Sequence, residues 1–302
     1  ASLDLAAVRS AVETNRIDLY LQPIVSLPQR KVRYYEATSR LRSEAGEMLH
    51  ASAFVPLAES GDLMPKIDSM VAFRCIQLVR RLLLKNHDIG MFCHLSAQTL
   101  SDATFLPQML EFLAANRAIA PSLVLQFKHS AVAAMGATEH EGLAALSDRG
   151  FRFSLDDVTD LRLDPTELAN RGFRFIKVHS DVLLKTHWRG LPGVQPADFS
   201  DLLGRHGIEL IVDRIENEKS VIDLLDHDVR YGQGSLFSPP RPVRPEALQP
   251  APDAADARAP ARSAEGNPLP PASHPAVPAS PRAQDAEPGT LMHMSTGIAA
   301  RG

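Results

Sequence analysis

Tyr34-Tyr35-Glu36-Ala37-Thr38-Ser39-Arg40 sits inside a run from Val32 to Arg42 that contains neither glycine nor proline. Its alternating, aromatic-rich character reads as a β-strand. Neighbouring strand residues face opposite ways, each rising about 3.3 Å. Glu36, Thr38 and Arg40 therefore share one face, and Tyr35, Ala37, Ser39 and Leu41 the other. Glu36 and Arg40 lie roughly 13 Å apart by the same rise, too far to neutralise each other. Each needs another partner, which is either water on an exposed strand or a site.

Working outward, residues 2–15 read as a short amphipathic helix with Leu5, Val8 and Val12 at helical spacing and Ser2 as its N-cap. A strand from Asp18 to Leu27 turns through Pro28-Gln29-Arg30 into the Val32 strand. Residues 51–60 and 65–86 read as helices, the second with an apolar face of Met70, Phe73, Ile76, Leu78, Val79, Leu82 and Leu83. Short apolar runs then recur at 91–95, 123–127, 151–155, 173–178, 208–212 and 228–232. Helical stretches separate them at 104–117, 139–149, 164–171, 197–206 and 217–226. Alternating strands and helices predict parallel βα units, and eight strands in about 240 residues predict a closed, modified (β/α)8 TIM-like barrel.

The runs turn polar at their C-terminal ends: His94 and Ser96, Gln126 and His129, Asp156 and Asp157, Lys177 and His179, Asp213, then Gln233. In a parallel barrel these ends share one rim, the face on which barrel enzymes build their sites. One such end is ordinarily a cap or a turn; six in succession point to a site.

Composition bounds the rest. The chain has 302 residues, 44% hydrophobic and 23% charged, within the ordinary range of globular proteins. Its net charge of -4 gives no attraction to nucleic acid or an anionic membrane. Two cysteines, Cys75 and Cys93, imply reduced thiols in a cytosolic compartment. No apolar run is long enough to span a bilayer, and no direct membrane contact is expected from this segment. Because the chain starts at Ala1, an upstream segment tethering it to the inner membrane is left open. More than half of the 23 prolines follow Ser238, amid Ala, Ser and Asp. The expected division is a barrel domain over 1–245 and a disordered Pro/Ala-rich tail over 246–302.

Seven segments together resemble the EAL domain. They are Leu21-Gln22-Pro23-Ile24-Val25, Glu36-Ala37-Thr38-Ser39-Arg40, Leu57-Ala58-Glu59-Ser60-Gly61 with Ile67-Asp68, Leu155-Asp156-Asp157, Ile176-Lys177-Val178, Ile215-Glu216, and Gly232-Gln233-Gly234-Ser235-Leu236-Phe237. The resemblance implies a modified barrel that binds cyclic di-GMP and, when intact, hydrolyses it with divalent ions. Such ions want carboxylate and amide oxygens, and a pair of them activates water and stabilises phosphate charge. Glu36, Asp156, Asp157, Lys177 and Gln233 stand at matching positions as remnants of that machinery. His94 stands where the family has Asn and Gln126 where it has a metal-binding Glu. His129 and His179 replace a loop-stabilising Glu and an Asp, and Asp213 a Glu. Val158-Thr159-Asp160-Leu161 replaces a glycine-bearing loop that couples dimerisation to metal binding, so dimerisation is left undecided. The resemblance thus implies lost catalysis and impaired Mg²⁺ or Mn²⁺ binding. A new metal site from His94, His129 and His179 beside the paired aspartates is a further alternative.

Ligand contacts survive better. By resemblance Gln22 lines the pocket, Arg40 reaches a phosphate, Asp68 and Glu216 accept from guanine, and Pro240 packs near a base. The expected cyclic di-GMP set is Gln22, Glu36, Ala37, Thr38, Arg40, Asp68, Asp156, Glu216, Phe237 and Pro240. No cofactor is required. Retained binding beside damaged catalysis is the pattern of a receptor that signals to a protein partner. Its general character resembles the flagellar assembly and positioning type, which would make polar flagellar machinery the partner. The alternative is a nucleotide-independent interaction scaffold whose pocket His94, Lys128, His129 and Arg214 fill. Residual phosphodiesterase activity is the third reading.

Overall fold

A parallel strand pair needs a long crossover, whereas an antiparallel pair can be joined by a tight turn. Residues 27–31 are such a turn, so β1 (Ile17–Ser26) runs antiparallel to β2 (Val32–Arg42). The computed structural model describes residues 3–85, 88–184, 193–244 and 248. After a short strand β3 (Met48–His50), helices α2 (Ala51–Ser60) and α3 (Met64–Leu84) lead to β4 (Gly90–His94). The chain then alternates through β5 (Leu123–Lys128), β6 (Arg152–Val158), β7 (Phe173–His179), β8 (Glu209–Asp213) and β9 (Tyr231–Gln233). From β2 through β4 to β9 neighbours are parallel, and β1 closes the ring by pairing antiparallel with both β2 and β9. The expected eight-strand closed barrel is present, with its first strand inverted.

β2 pairs with β4 only over Tyr34–Ala37; beyond that it continues past the rim and pairs with β3 at Arg40, Leu41 and Arg42. On the far side, β10 (Arg241–Pro242) adds to β1 at Leu21 and Tyr20. The antiparallel wall β3–β2–β1–β10 therefore stands above the C-terminal rim and carries Thr38 and Arg40 over the barrel mouth.

Inside the barrel, Ile24, Phe92, Val124, Phe175 and Ile211 pack with Tyr34 and Tyr231. Their rings meet edge to face, Phe92–Phe175 at 5.0 Å and Tyr34–Phe92 at 5.3 Å between centroids, the geometry the aromatic quadrupole favours. This layer plugs the barrel and forms the floor of whatever sits above it. The larger core lies between barrel and helices.

Several local expectations are corrected. Helix α1 (Leu5–Glu13) is capped by Asp4, whose side chain accepts from the Ala7 amide, whereas Ser2 lies outside the described residues. Helix α3 is rotated from the expected face: Phe73 and Leu83 are exposed, while Val71, Ala72 and Cys75 are buried with Ile76, Leu78 and Val79. Small side chains let the helix approach β4, and Phe73 packs sideways on Phe112 of α5 (Phe105–Ala115), 5.5 Å away. Short helices α4 (Ala97–Ser101) and α6 (His129–Ala133) follow the polar ends of β4 and β5. Both cysteines are free and buried. The expected disordered tail, 246–302, lies outside the described residues apart from residue 248. No helix among the described residues is long and apolar enough to cross a membrane.

Candidate functional site

Alternation along each strand places the next inward residue one layer above the aromatic floor. That layer is Gln22, Glu36, His94, Gln126, Asp156, Lys177, Asp213 and Gln233, one from each barrel strand. Of the polar strand ends singled out in the sequence, His94, Gln126, Asp156, Lys177, Asp213 and Gln233 thus converge on a single ring, while Ser96 lines the cleft and His129 a separate pocket.

Glu36 is its hub. Its Oε1 accepts from Lys177 Nζ at 2.6 Å, Gln126 Nε2 at 2.6 Å and His94 Nε2 at 3.0 Å. Its Oε2 accepts from Gln233 Nε2 at 2.6 Å. Four side-chain donors thus meet this one carboxylate, three on Oε1 and one on Oε2. Burial alone would push the Glu36 carboxyl up, but the Lys177 charge and the His94 hydrogen bond hold it well below the usual range. Lys177 is 1% exposed. Burial opposes its charge, yet Glu36, then Asp156 and Asp213, raise it above the ordinary lysine value. Turning both amides toward Glu36 leaves the buried carbonyl oxygens of Gln126 and Gln233 without a partner among the described residues. The carboxylate outweighs them. Gln22 extends the network, accepting from Gln233 Nε2 at 3.2 Å and donating to the Ser238 carbonyl at 3.0 Å.

A second cluster closes the rim nearby. His179 Nε2 lies 2.8 Å from Asp157 Oδ1 and its Nδ1 lies 2.6 Å from Asp213 Oδ1. Both ring nitrogens face carboxylates, so the imidazolium satisfies both; against the cost of burial, Asp213 first and Asp157 next raise the His179 value. The flanking residues Asp157 and Arg214 adopt left-handed backbone, φ 54° and 55°, which costs a side-chain-bearing residue energy.

Beside the ring opens a cleft of about 760 Å³. Its walls are largely apolar: Ala37 from β2, Val55 and Pro56 from α2, Met64, Ile67 and Val71 from α3, and Leu95. Thr38, Asp68, His94, Ser96, Gln98 and Lys128 supply polar groups. Asp68 is anchored through Oδ2, which accepts from the Ser96 amide at 2.8 Å, Ser96 Oγ at 2.7 Å and Thr99 Oγ1 at 2.6 Å. Burial pushes its carboxyl up against those bonds.

Of the expected ligand set, Ala37, Thr38 and Asp68 line this cleft, and Gln22, Glu36 and Asp156 belong to the ring. Arg40 stacks on Tyr20, its guanidinium carbon 3.8 Å from the ring centroid. Glu216 is exposed beyond β8, and Phe237 and Pro240 are half-buried beyond β9. Of the residues expected to fill the pocket, His94 and Lys128 line the cleft, while Arg214 does not. His129 faces a separate pocket with His140 and Arg162, so the joint metal site of His94, His129 and His179 is not formed. The group that does converge among the described residues is Glu36, His94 and Asp156, whose ligand atoms lie within 4.8 Å of one another. Thr99 and Tyr20 were missed. Tyr20 sits opposite Thr38 in the β1–β2 register, a pairing visible once the turn at residues 27–31 is known.

The model of the EAL domain family matches residues 5–240. The chain is 26% identical over 245 residues to the cyclic di-GMP phosphodiesterase PdeB of Shewanella oneidensis, covering 78% of this chain and 28% of that protein. It is 23% identical over 248 residues to the signaling protein YkoW of Bacillus subtilis, covering 80% and 30%. The chain therefore spans less than a third of the length of these two relatives. Among solved structures it resembles the FimX EAL domain of Pseudomonas aeruginosa bound to c-di-GMP, with TM-score 0.64, 24% identity, and coverage of 79% and 97%. It also resembles the FimX EAL domain of Xanthomonas citri in complex with c-diGMP, with TM-score 0.66, 22% identity, and coverage of 79% and 93%. With the closed barrel, the polar ring and a family match over most of its length, this chain belongs to the EAL domain family.

Proposed function

We propose that this EAL domain is a receptor for cyclic di-GMP that does not hydrolyse it. The carrying observation is the state of Glu36, whose two oxygens accept from four side chains of the chain itself, Lys177, His94, Gln126 and Gln233. A pair of divalent ions, when bound, would activate water and stabilise charge on the attacked phosphate. The residues present do not fit a pair. His94 and Gln126 bring no carboxylate, and Glu36, His94 and Asp156 make at most one mixed nitrogen and oxygen set. Lys177 takes over the neutralising role at Glu36, holding the carboxylate ionised and in place.

The cleft supports binding. An apolar slot with one anchored carboxylate suits a purine, Asp68 being the acceptor for its N–H groups. Arg40, stacked on Tyr20, would meet a phosphodiester beside the cleft. Glu216, Phe237 and Pro240 would hold the second base on the other side of the ring. The FimX domains whose structures contain the dinucleotide favour this reading, as the open cleft disfavours an interaction scaffold with a filled pocket. Further parts of the proposal rest on resemblance alone: a protein partner in polar flagellar machinery, a cytoplasmic location with an upstream tether, and a barrel domain over 1–245 with an appended tail.

Calorimetric titration of the folded protein with cyclic di-GMP tests binding; no heat at about tens of micromolar overturns it. Incubation of the same protein with cyclic di-GMP and Mn²⁺ tests catalysis, since accumulation of the linear dinucleotide would show an enzyme.

A further inference from the structure

Anionic ligands need positive charge, and most cations near the ring are already committed. Lys177 and His94 are bonded to Glu36, and Arg40, over Tyr20, stands outside the cleft lining. The cleft lining itself contains a single lysine or arginine, Lys128. It ends β5 opposite Asp156 in register, and its side chain is exposed. Among the described residues its ammonium has neither a hydrogen bond nor an ion pair. On the same lining, His94, Ser96 and Gln98 mark the polar margin of an otherwise apolar slot. A nucleotide seated with its base among Val55, Ile67 and Val71 would present its phosphate toward that margin.

We propose that Lys128 is the phosphate contact of the cleft, pairing with a phosphodiester of the bound dinucleotide. It would bring there the positive charge that divalent ions otherwise supply. The inference rests on the receptor reading above. A compact ammonium on a flexible stem can follow a phosphate without fixed bidentate geometry. Removing one charge-assisted contact typically weakens binding about tenfold or more.

The test titrates the full chain with cyclic di-GMP in EDTA. Lys128→Met is expected to weaken binding at least about tenfold with an unchanged thermal midpoint, and Lys128→Arg to keep most of the affinity. Added salt should weaken binding by the wild type more than by Lys128→Met, because screening acts on the lost charge pair. Binding by the wild type that Lys128→Met leaves within about twofold overturns this inference alone. Absence of binding by the wild type overturns the receptor reading and this inference together.

Discussion

A buried carboxylate survives only with partners, and Glu36 has gathered a cation, an imidazole and two amides. Removing one partner of a buried ion pair leaves an uncompensated charge, commonly costing about 3–5 kcal/mol. Lys177→Met should therefore lower the urea unfolding free energy by about that amount, and the paired change Glu36→Gln with Lys177→Met should recover part of it. The two rim histidines set a pH dependence of definite sign. Both His94 and His179 are raised above 6.5 by carboxylate neighbours, against burial. Their contribution is complete below about pH 6.5, the unfolded value, and is lost as pH rises through the higher folded values. Glu36, depressed in the fold, acts with the opposite sign: its contribution is complete above about pH 4.5 and lost only at much lower pH. Urea midpoints should fall on the alkaline side of pH 6.5, and His179→Asn should flatten that decline. A midpoint that rises there would refute the assignment of an imidazolium between Asp157 and Asp213.

At the level of elements, the long β1–β2 hairpin decides where ligand contacts can stand. Shorter strands β4 to β9 end at the rim, and only the hairpin continues above it, carrying Thr38, Arg40 and Tyr20. The opposite side of the mouth depends on a close crossing after β9. Gly234 has φ 159°, and a Cβ there would collide with the carbonyl oxygen and amide nitrogen of Ile215. Those same groups hold the segment together, with the Ile215 amide donating to the Gln233 carbonyl and the Leu236 amide to the Ile215 carbonyl, each at 3.1 Å. Gly234→Ala must push one backbone off the other and should cost more than about 2 kcal/mol in unfolding free energy. It should also displace the segment bearing Glu216. A variant of wild-type stability would show that the two backbones can separate freely.

For the molecule as a whole, the reading predicts stabilisation by ligand without metal. Cyclic di-GMP at about a hundred times its Kd should add about 2.7 kcal/mol to the folded state. The thermal midpoint should then rise equally in EDTA and in Mn²⁺; a rise that requires Mn²⁺ would point instead to an intact ion site. Much of this was legible in the chain. Apolar runs and their polar ends located the parallel barrel strands and six members of the ring, His94, Gln126, Asp156, Lys177, Asp213 and Gln233, because strand alternation and helix spacing are local properties of sequence. The family resemblance singled out Glu36, Asp156, Lys177 and Gln233 in the same way. Their mutual arrangement was not legible. That Glu36 gathers four donors, that His179 is bridged, that His129 turns to a different pocket and that Lys128 faces the cleft all depend on distances between strands far apart in the chain. Sequence determined which residues reach the rim of this EAL domain, since periodicity along a strand fixes the face of each side chain. The tertiary structure decided which of them meet, since barrel closure and register, rather than local pattern, set the contacts between strands.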